Sequence, residues 1–274
     1  MNRLIPRFAL VGCLLVGTAI AQAPFASMGA TLPVFAYSSE SAPSTYLPPA
    51  IAPPVSLPRM APDLALRAYQ QKAAMQAAAL TEYSSTTVIR ATLPESSQSG
   101  EFELQRHYAA PRSLQFKAIK FIGDTFVKTN IIARLLQSEV DHVQKDDLTL
   151  TALTPANYKF SSKGTTQIDG RTVHVFQVKP RKKRVGLFKG RIYLDAYTGS
   201  LVRAEGSAVK SPSFFVRKIE FVQDYADVGA FTFPVHIHSE AQARLVGRTV
   251  VDIYQRDYEP VSSSPVAAQQ IPSL

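Results

Sequence analysis

The feature that most constrains this chain is the run from Gly164 to Gly206, GTTQIDGRTVHVFQVKPRKKRVGLFKGRIYLDAYTGSLVRAEG. It predicts four antiparallel strands in succession. Asp169-Gly170 separates 165–168 from 171–179, and a two-residue type I′ turn needs positive φ at both of its central positions. A basic loop then leads to 188–196, where Phe188, Gly190, Ile192 and Leu194 share one face. Tyr197-Thr198-Gly199-Ser200 turns the chain into 201–209. A meander of this kind has an apolar face and cannot stand alone. The rest of the chain must supply more strands or a helix to cover it.

More strands are available on both sides. Residues 83–93 read as a threonine-rich strand and 94–100 as a loop. The next strand, 101–109, sets Phe102, Leu104 and Tyr108 against Glu101, Glu103, Gln105 and His107. A third, 113–121, groups Leu114, Phe116 and Ala118; beyond the meander lie 214–228, 232–243 and 249–258. Two helices complete the set. Residues 64–80 are strong helix formers behind Asp63 as the expected N-cap, with Leu64, Ala68, Met75 and Ala79 as the apolar stripe and Leu66, Tyr69 and Ala73 beside it. Asp124 is expected to cap 126–143, which places Val127, Ile131 and Leu135 next to Ile132, Leu136 and Val140. The strands come in runs, without β-α-β alternation. The fold class is therefore α+β: a large curled antiparallel sheet, a half-open β-barrel of about 10–11 strands, with two amphipathic helices on its concave side.

The ends have a different character. Arg3 and Arg7 precede an apolar run from Phe8 to Ile20, which is too short to cross a bilayer, and Ala19-Ile20-Ala21 offers a cleavage site. Residues 1–21 are thus expected to be a signal peptide cleaved after Ala21, sending the chain to the periplasm. Leu10-Val11-Gly12-Cys13 also fits a lipobox, and a lipid anchor on Cys13 is the minor alternative. Residues 22–62 are a proline-rich linker without regular structure, 63–258 the folded domain, and 259–274 a Ser/Pro/Gln-rich tail. Cys13 is the sole cysteine, so cleavage after Ala21 leaves no thiol for disulfides, catalysis or metal binding.

Motifs for chemistry are missing. There is no G-x-S-x-G elbow, no H-E-x-x-H and no nucleotide loop, so neither an enzyme nor a cofactor is expected. His236, His238 and Glu240 share a strand face opposite Val235 and Ile237, but a metal would need ligands from a neighbouring strand, and no metal site is assigned. His107 reads as a surface residue on the face of Glu103, and His174 as a semi-buried structural one beside Phe176 and Val178. The net charge is +9, or +7 without Arg3 and Arg7. Seven cations and no acid occur in 179–191: Lys179, Arg181, Lys182, Lys183, Arg184, Lys189 and Arg191. Arg181, Lys182, Lys183 and Arg184 are the candidate loop for an anionic membrane surface or an acidic protein partner. The bland alternative is a solvated hairpin. Nucleic acid is not expected, because the chain has no RNA-binding aromatic motif and no basic helix for a groove.

Several short matches bear on family. Ile168-Asp169-Gly170-Arg171, Val178-Lys179-Pro180, Gly190-Arg191-Ile192-Tyr193-Leu194-Asp195, Thr198-Gly199 and Arg203-Ala204-Glu205-Gly206 follow one another in the meander. With the signal peptide, leading helix, three strands and mid-chain helix, they resemble the bacterial outer-membrane lipoprotein-sorting superfamily over roughly 63–258. That group includes the periplasmic lipoprotein carrier, its outer-membrane receptor and the sensor that binds an anti-sigma factor. The resemblance implies a half-open barrel lidded by helices, with an apolar cavity for acyl chains. The carrier's ligand-controlling arginine matches no unique position here, so no functional residue is transferred. The expected function is a non-catalytic periplasmic carrier of acylated ligands, lipoproteins or lipids. The alternative is an envelope-signalling module of the same fold that binds a protein partner. Phe102, Leu104, Phe116, Ile192, Leu194, Val202, Phe221 and Ile253 lie on the apolar phases of their strands and are expected to line a preformed cavity.

Overall fold

The computed structural model describes residues 58–145, 148–211, 216–244 and 246–263. The leader with Cys13 and Ala21, most of the proline-rich linker and residues 264–274 lie outside them. Among the described residues the strands are β1 (Leu80–Leu93), β2 (Gln98–Ala109), β3 (Ser113–Gly123), β4 (Tyr158–Ile168), β5 (Arg171–Pro180), β6 (Phe188–Asp195), β7 (Leu201–Ala208), β8 (Val216–Val228), β9 (Phe231–Ala243) and β10 (Gly247–Ser262). They form one antiparallel sheet of ten strands in the order β3-β2-β1-β10-β9-β8-β7-β6-β5-β4. Every neighbour is a chain neighbour except at one seam, between the third and fourth strands of the order, where β1 pairs with β10 from Leu80↔Ser262 to Thr92↔Val250. The outer edges, β3 and β4, do not pair with each other.

The meander folds as its turns dictate. Asp169 and Gly170 take φ of 49° and 78°, the mirror-image turn that joins β4 to β5. Gly199 takes φ of 69°, and a Cβ there would lie 2.7 Å from that of Ala68, so the β6–β7 turn can touch the first helix only as glycine. Laid flat, ten strands would span about 40 Å at the usual strand spacing. One contiguous core nevertheless joins Leu104 of β2, Ile253 of β10, Phe221 of β8, Ile192 of β6 and Phe176 of β5. The sheet is curled around it.

Both helices pack on this concave face. Helix α1 (Pro62–Ala79) begins with Pro62, which fits the first turn, and its cap is Ala61; Asp63 lies inside the first turn and is not the cap. Its apolar stripe also differs from expectation. Ala65, Tyr69, Gln76 and Ala77 are buried, whereas Leu64 and Met75 are more than half exposed. The helix docks through small residues and through hydrogen bonds: the Gln76 amide donates to Thr232 O (3.0 Å) and accepts from its N–H (2.8 Å), and Lys72 Nζ donates to Ser200 Oγ (2.9 Å). The second helical segment links the two sheet edges. It runs as α2 (Thr125–Val127), a π segment (Lys128–Ile132) and α3 (Ala133–Lys145). Its Val127, Ile131, Ile132 and Leu135 enter the main core as expected. Asp124 occupies the N-cap position, but its carboxylate accepts from the N–H of Ser99 on β2 instead of capping the helix.

The described structure extends past the expected domain at both ends. Met60 N–H donates to Ala196 O (2.8 Å), and β10 continues to Ser262, opposite Leu80.

Candidate functional site

Seven of the eight residues expected on the concave face belong to the main core. Leu104, Ile192, Leu194, Phe221 and Ile253 are buried there, and Phe102 and Phe116 pack against it half-buried. Val202 does not. A bulge at the β6–β7 pairing sets Leu194 opposite Leu201 but Tyr193 opposite Arg203, so Leu201 and Ala204 take the inward phase. Val202 instead joins Val173, Val175 and Tyr193 in a separate cluster.

Three of these side chains are closed off: Leu104, Ile192 and Leu194 have no accessible surface, so they line no water-sized void in this conformation, and they belong to one contiguous core that also includes Val127, Ile131, Ile132 and Leu135. What seats the helix is polar as well as apolar. Arg106 of β2 and Glu139 of α3 form an ion pair with both side chains under a tenth exposed. Arg106 Nε also donates to the Tyr83 hydroxyl (3.0 Å), and the guanidinium sits 5.6 Å from the Phe116 ring centroid. Burial opposes the Arg106 charge, but the Glu139 carboxylate and Tyr83 outweigh it and hold the arginine pKa above its ordinary value. Near the start of the helix, Lys128 Nζ lies 4.9 Å from the centroid of the Phe121 ring. Sequence reasoning missed the pair because Arg106 sits in the apolar phase of β2 without a partner on its own strand, and Glu139 comes from a helix 33 residues further along.

The inner face is not uniformly apolar. Ser85, Thr87, Gln223, Tyr225, Ser239 and Thr249 are buried and carry side-chain polar atoms that find no hydrogen-bond partner among the described residues. Three tyrosines share this interior. Burial pushes the Tyr158 hydroxyl pKa up to about 12, partly offset by the hydrogen bond from Phe188 N–H. Burial, reinforced by neighbouring tyrosines, raises Tyr69 and Tyr225 further.

Grooves at the surface of the described residues include two that bear on function. One, of about 540 Å³, lies where the β1–β2 and β9–β10 turns approach the start of the helix, between Leu93, Glu95, Phe126, Arg217 and Val246. The other, of about 690 Å³, contains Lys179, Arg181, Lys182, Lys183, Lys189 and Arg191 with Val178 and Val209. The structure therefore gathers most of the basic loop into a concave surface, while Arg184 is half-buried outside the groove's lining. Arg181 Nε donates to Pro155 O (2.7 Å) and Arg191 lies 3.7 Å from Glu205. Among the described residues, Lys182, Lys183, Arg184 and Lys189 form no ion pair.

The histidines behave as structural groups. His174 is buried, with Nε2 at 2.9 Å from Met60 O and Nδ1 at 3.4 Å from Thr165 Oγ1. His236 and His238 both contact Asp252 Oδ1, at 3.3 and 2.8 Å, and Glu240 pairs with Arg248 at 2.8 Å. Asp252 of β10 is the neighbouring-strand partner that the sequence did not identify. No group of three or more His, Cys, Asp or Glu side chains able to hold a metal occurs among the described residues.

No family model and no curated protein matches the chain. Solved structures that it is similar to include a DUF1329 family protein from Desulfovibrio piger, at 11% identity and TM-score 0.37 over 72% of this chain and 90% of that one. An outer membrane lipoprotein-sorting protein domain from Vibrio parahaemolyticus aligns at 11% identity and TM-score 0.35, over 72% and 92%. A LolA superfamily protein from Nitrosomonas europaea aligns at 12% and 0.33, over 66% and 86%. The last two carry the lipoprotein-sorting or LolA name of the group that the sequence resembles. At such identities and scores, function has to be argued from the geometry.

Proposed function

We propose that this protein is a non-catalytic carrier of acylated ligands, lipids or lipoproteins, in the bacterial envelope. The acyl chain would be held between the concave sheet and the helix of residues 125–145. The observation that carries this reading is the arrangement of the lid: the sheet edges β3 and β4 are unpaired, and the element joining them contributes Val127, Ile131, Ile132 and Leu135 to the sheet's apolar face. Lifting that helix would expose a largely apolar trough, with Ser85 and Thr87 of β1 and Arg106 of β2 among its polar members, without breaking a strand pairing. A 16-carbon chain occupying it gains roughly 0.8 kcal/mol per buried methylene, which is enough for tight binding before any polar contact is counted. The groove beside Phe126 is the mouth in this reading, because it borders both the helix start and Leu93 of the core. The leader expected in residues 1–21 would deliver the protein to the periplasm. The basic groove around Arg181, Lys182 and Lys183 would hold it against an anionic membrane surface while the chain transfers.

The test is native purification of the secreted chain followed by mass spectrometry of extracted lipids, with titration of a fluorescent fatty acid into the delipidated protein. Co-purified acyl compounds and saturable micromolar binding are expected. No bound lipid together with no probe binding overturns the carrier. An acidic protein retained in a salt-sensitive manner under the same conditions would instead favour the interaction module.

A further inference from the structure

On β8, Ile219, Phe221, Gln223 and Tyr225 alternate inward, and all four are buried. Three are hydrophobic members of the main core; the fourth is an amide with no accessible surface. Neither Nε2 nor Oε1 of Gln223 has a hydrogen-bond partner among the described residues, and the same holds for the Tyr225 hydroxyl and Ser239 Oγ. These groups are neighbours on the inner face. Gln223 stands opposite Ile237 of β9, Ser239 is the next inward position on that strand, and Tyr225 is the next on β8. Buried amides in folded proteins are almost always bonded, and an apolar residue of similar size would fit this phase at less cost. The amide is therefore an unusual component of an apolar wall.

We propose that Gln223, backed by Tyr225 and Ser239, is a hydrogen-bonding station for a hydroxyl group on the acyl chain, so that the cargo is a hydroxyacyl lipid. This rests on the carrier reading above. The chemistry selects the group. A primary amide offers one donor face and one acceptor face, and a hydroxyl can donate to Oε1 while accepting from Nε2, satisfying both at once. A plain methylene leaves both orphaned. A carboxylate can accept from Nε2 but brings a charge into an interior where, among the described residues, the buried arginine Arg106 is already paired with Glu139.

The test is competition. Full-length delipidated protein is loaded with a fluorescent fatty acid and displaced either by hexadecanoic acid or by hydroxyhexadecanoic acids with the hydroxyl at successive positions. At least one positional isomer should displace the probe about tenfold more tightly than the plain acid, the scale of one or two net hydrogen bonds. Gln223→Leu should abolish that preference, bind the plain acid at least as well, and melt no lower than the wild type. Ser239→Ala, a smaller change, should narrow the preference without removing it, and it serves if Gln223→Leu does not fold. Equal displacement by all isomers in the wild type overturns the proposal. So does a preference that survives Gln223→Leu. If the probe itself never binds, the carrier reading falls first.

Discussion

Replacing Arg106 with methionine isolates what seats the helix on the sheet. Methionine keeps much of the aliphatic stem but leaves the Glu139 carboxylate, whose side chain is 5% exposed, without its counterion. Breaking one side of a buried pair typically costs about 3–5 kcal/mol. Here the Tyr83 hydroxyl also loses its donor, and the stacking against the Phe116 ring is lost, so the upper half of that range is expected. For a domain of this size about 1 kcal/mol moves the melting temperature by roughly 2–4 °C, which predicts a fall of roughly 8–20 °C. The double variant Arg106→Met, Glu139→Leu removes both charges and should recover most of that loss, because an apolar pair needs no desolvation of ions. The assay is thermal and urea denaturation of the wild type, both single variants and the double, analysed as a cycle. A coupling near zero, or an Arg106→Met protein melting within two or three degrees of wild type (about 1 kcal/mol), would falsify the claim that this pair holds the lid.

Three further outcomes follow from the same geometry. Leu194→Glu, at a site with no accessible surface, should cost several kcal/mol and depress fluorescent fatty-acid binding in parallel, whereas half-buried Phe116→Glu should be milder because Arg106 lies close to that ring. Changing Arg181, Lys182, Lys183 and Arg184 to Gln should leave the melting temperature within a few degrees, since solvated charges contribute little. It should also abolish low-salt binding to anionic vesicles; wild-type binding that is absent, or indifferent to added salt, would reduce the loop to a solvated hairpin. The buried tyrosine hydroxyls have pKa values raised above the unfolded value of about 10, so their contribution is intact below that pH and is lost as pH rises from about 10 toward about 12, the value reached by Tyr158. Urea midpoints measured across that interval should fall, and a flat profile would mean that these hydroxyls reach solvent.

Much of the architecture was legible because turns and strand phases are local. Asp169-Gly170 and Thr198-Gly199 determine their hairpins by backbone conformation alone, and the clean alternation in 101–109 put Leu104 inward correctly. Non-local facts were harder. Nothing in 188–209 announces the bulge that turns Val202 away from the core, since one extra residue on β7 is settled only by the pairing with β6. Helix α1 is so rich in alanine that its largest apolar residues, Leu64 and Met75, suggested the wrong face; the docking face is set by Gln76 reaching Thr232 and by the closeness of Gly199 to Ala68. Gln223 did leave a trace. It occupies the apolar phase between Phe221 and Tyr225, and a polar residue in that phase is a signal a sequence reader can use. Arg106 left the same trace between Leu104 and Tyr108, but its partner across the lid lies 33 residues away on a helix, beyond the reach of any strand pattern.

The seam between β1 and β10 bears on how the chain acquires its shape. Leu80 meets Ser262 and Thr92 meets Val250, so this pairing joins the first and last of the described strands. The hairpins from β4 to β10 close through short loops and can form as they emerge. The seam must wait for nearly the whole domain, although the entropy of closing so long a loop grows only with the logarithm of its length. Until then β1 and β9 each present a bare edge of backbone donors and acceptors, and β2, β3 and the helix have no trough to cover. A chain stopped before Gly247 would leave β3-β2-β1 separated from β9 to β4. The interior thus waits on β10, and slow, late-forming protection of β1 amides in pulse-labelled refolding is the kinetic trace it should leave.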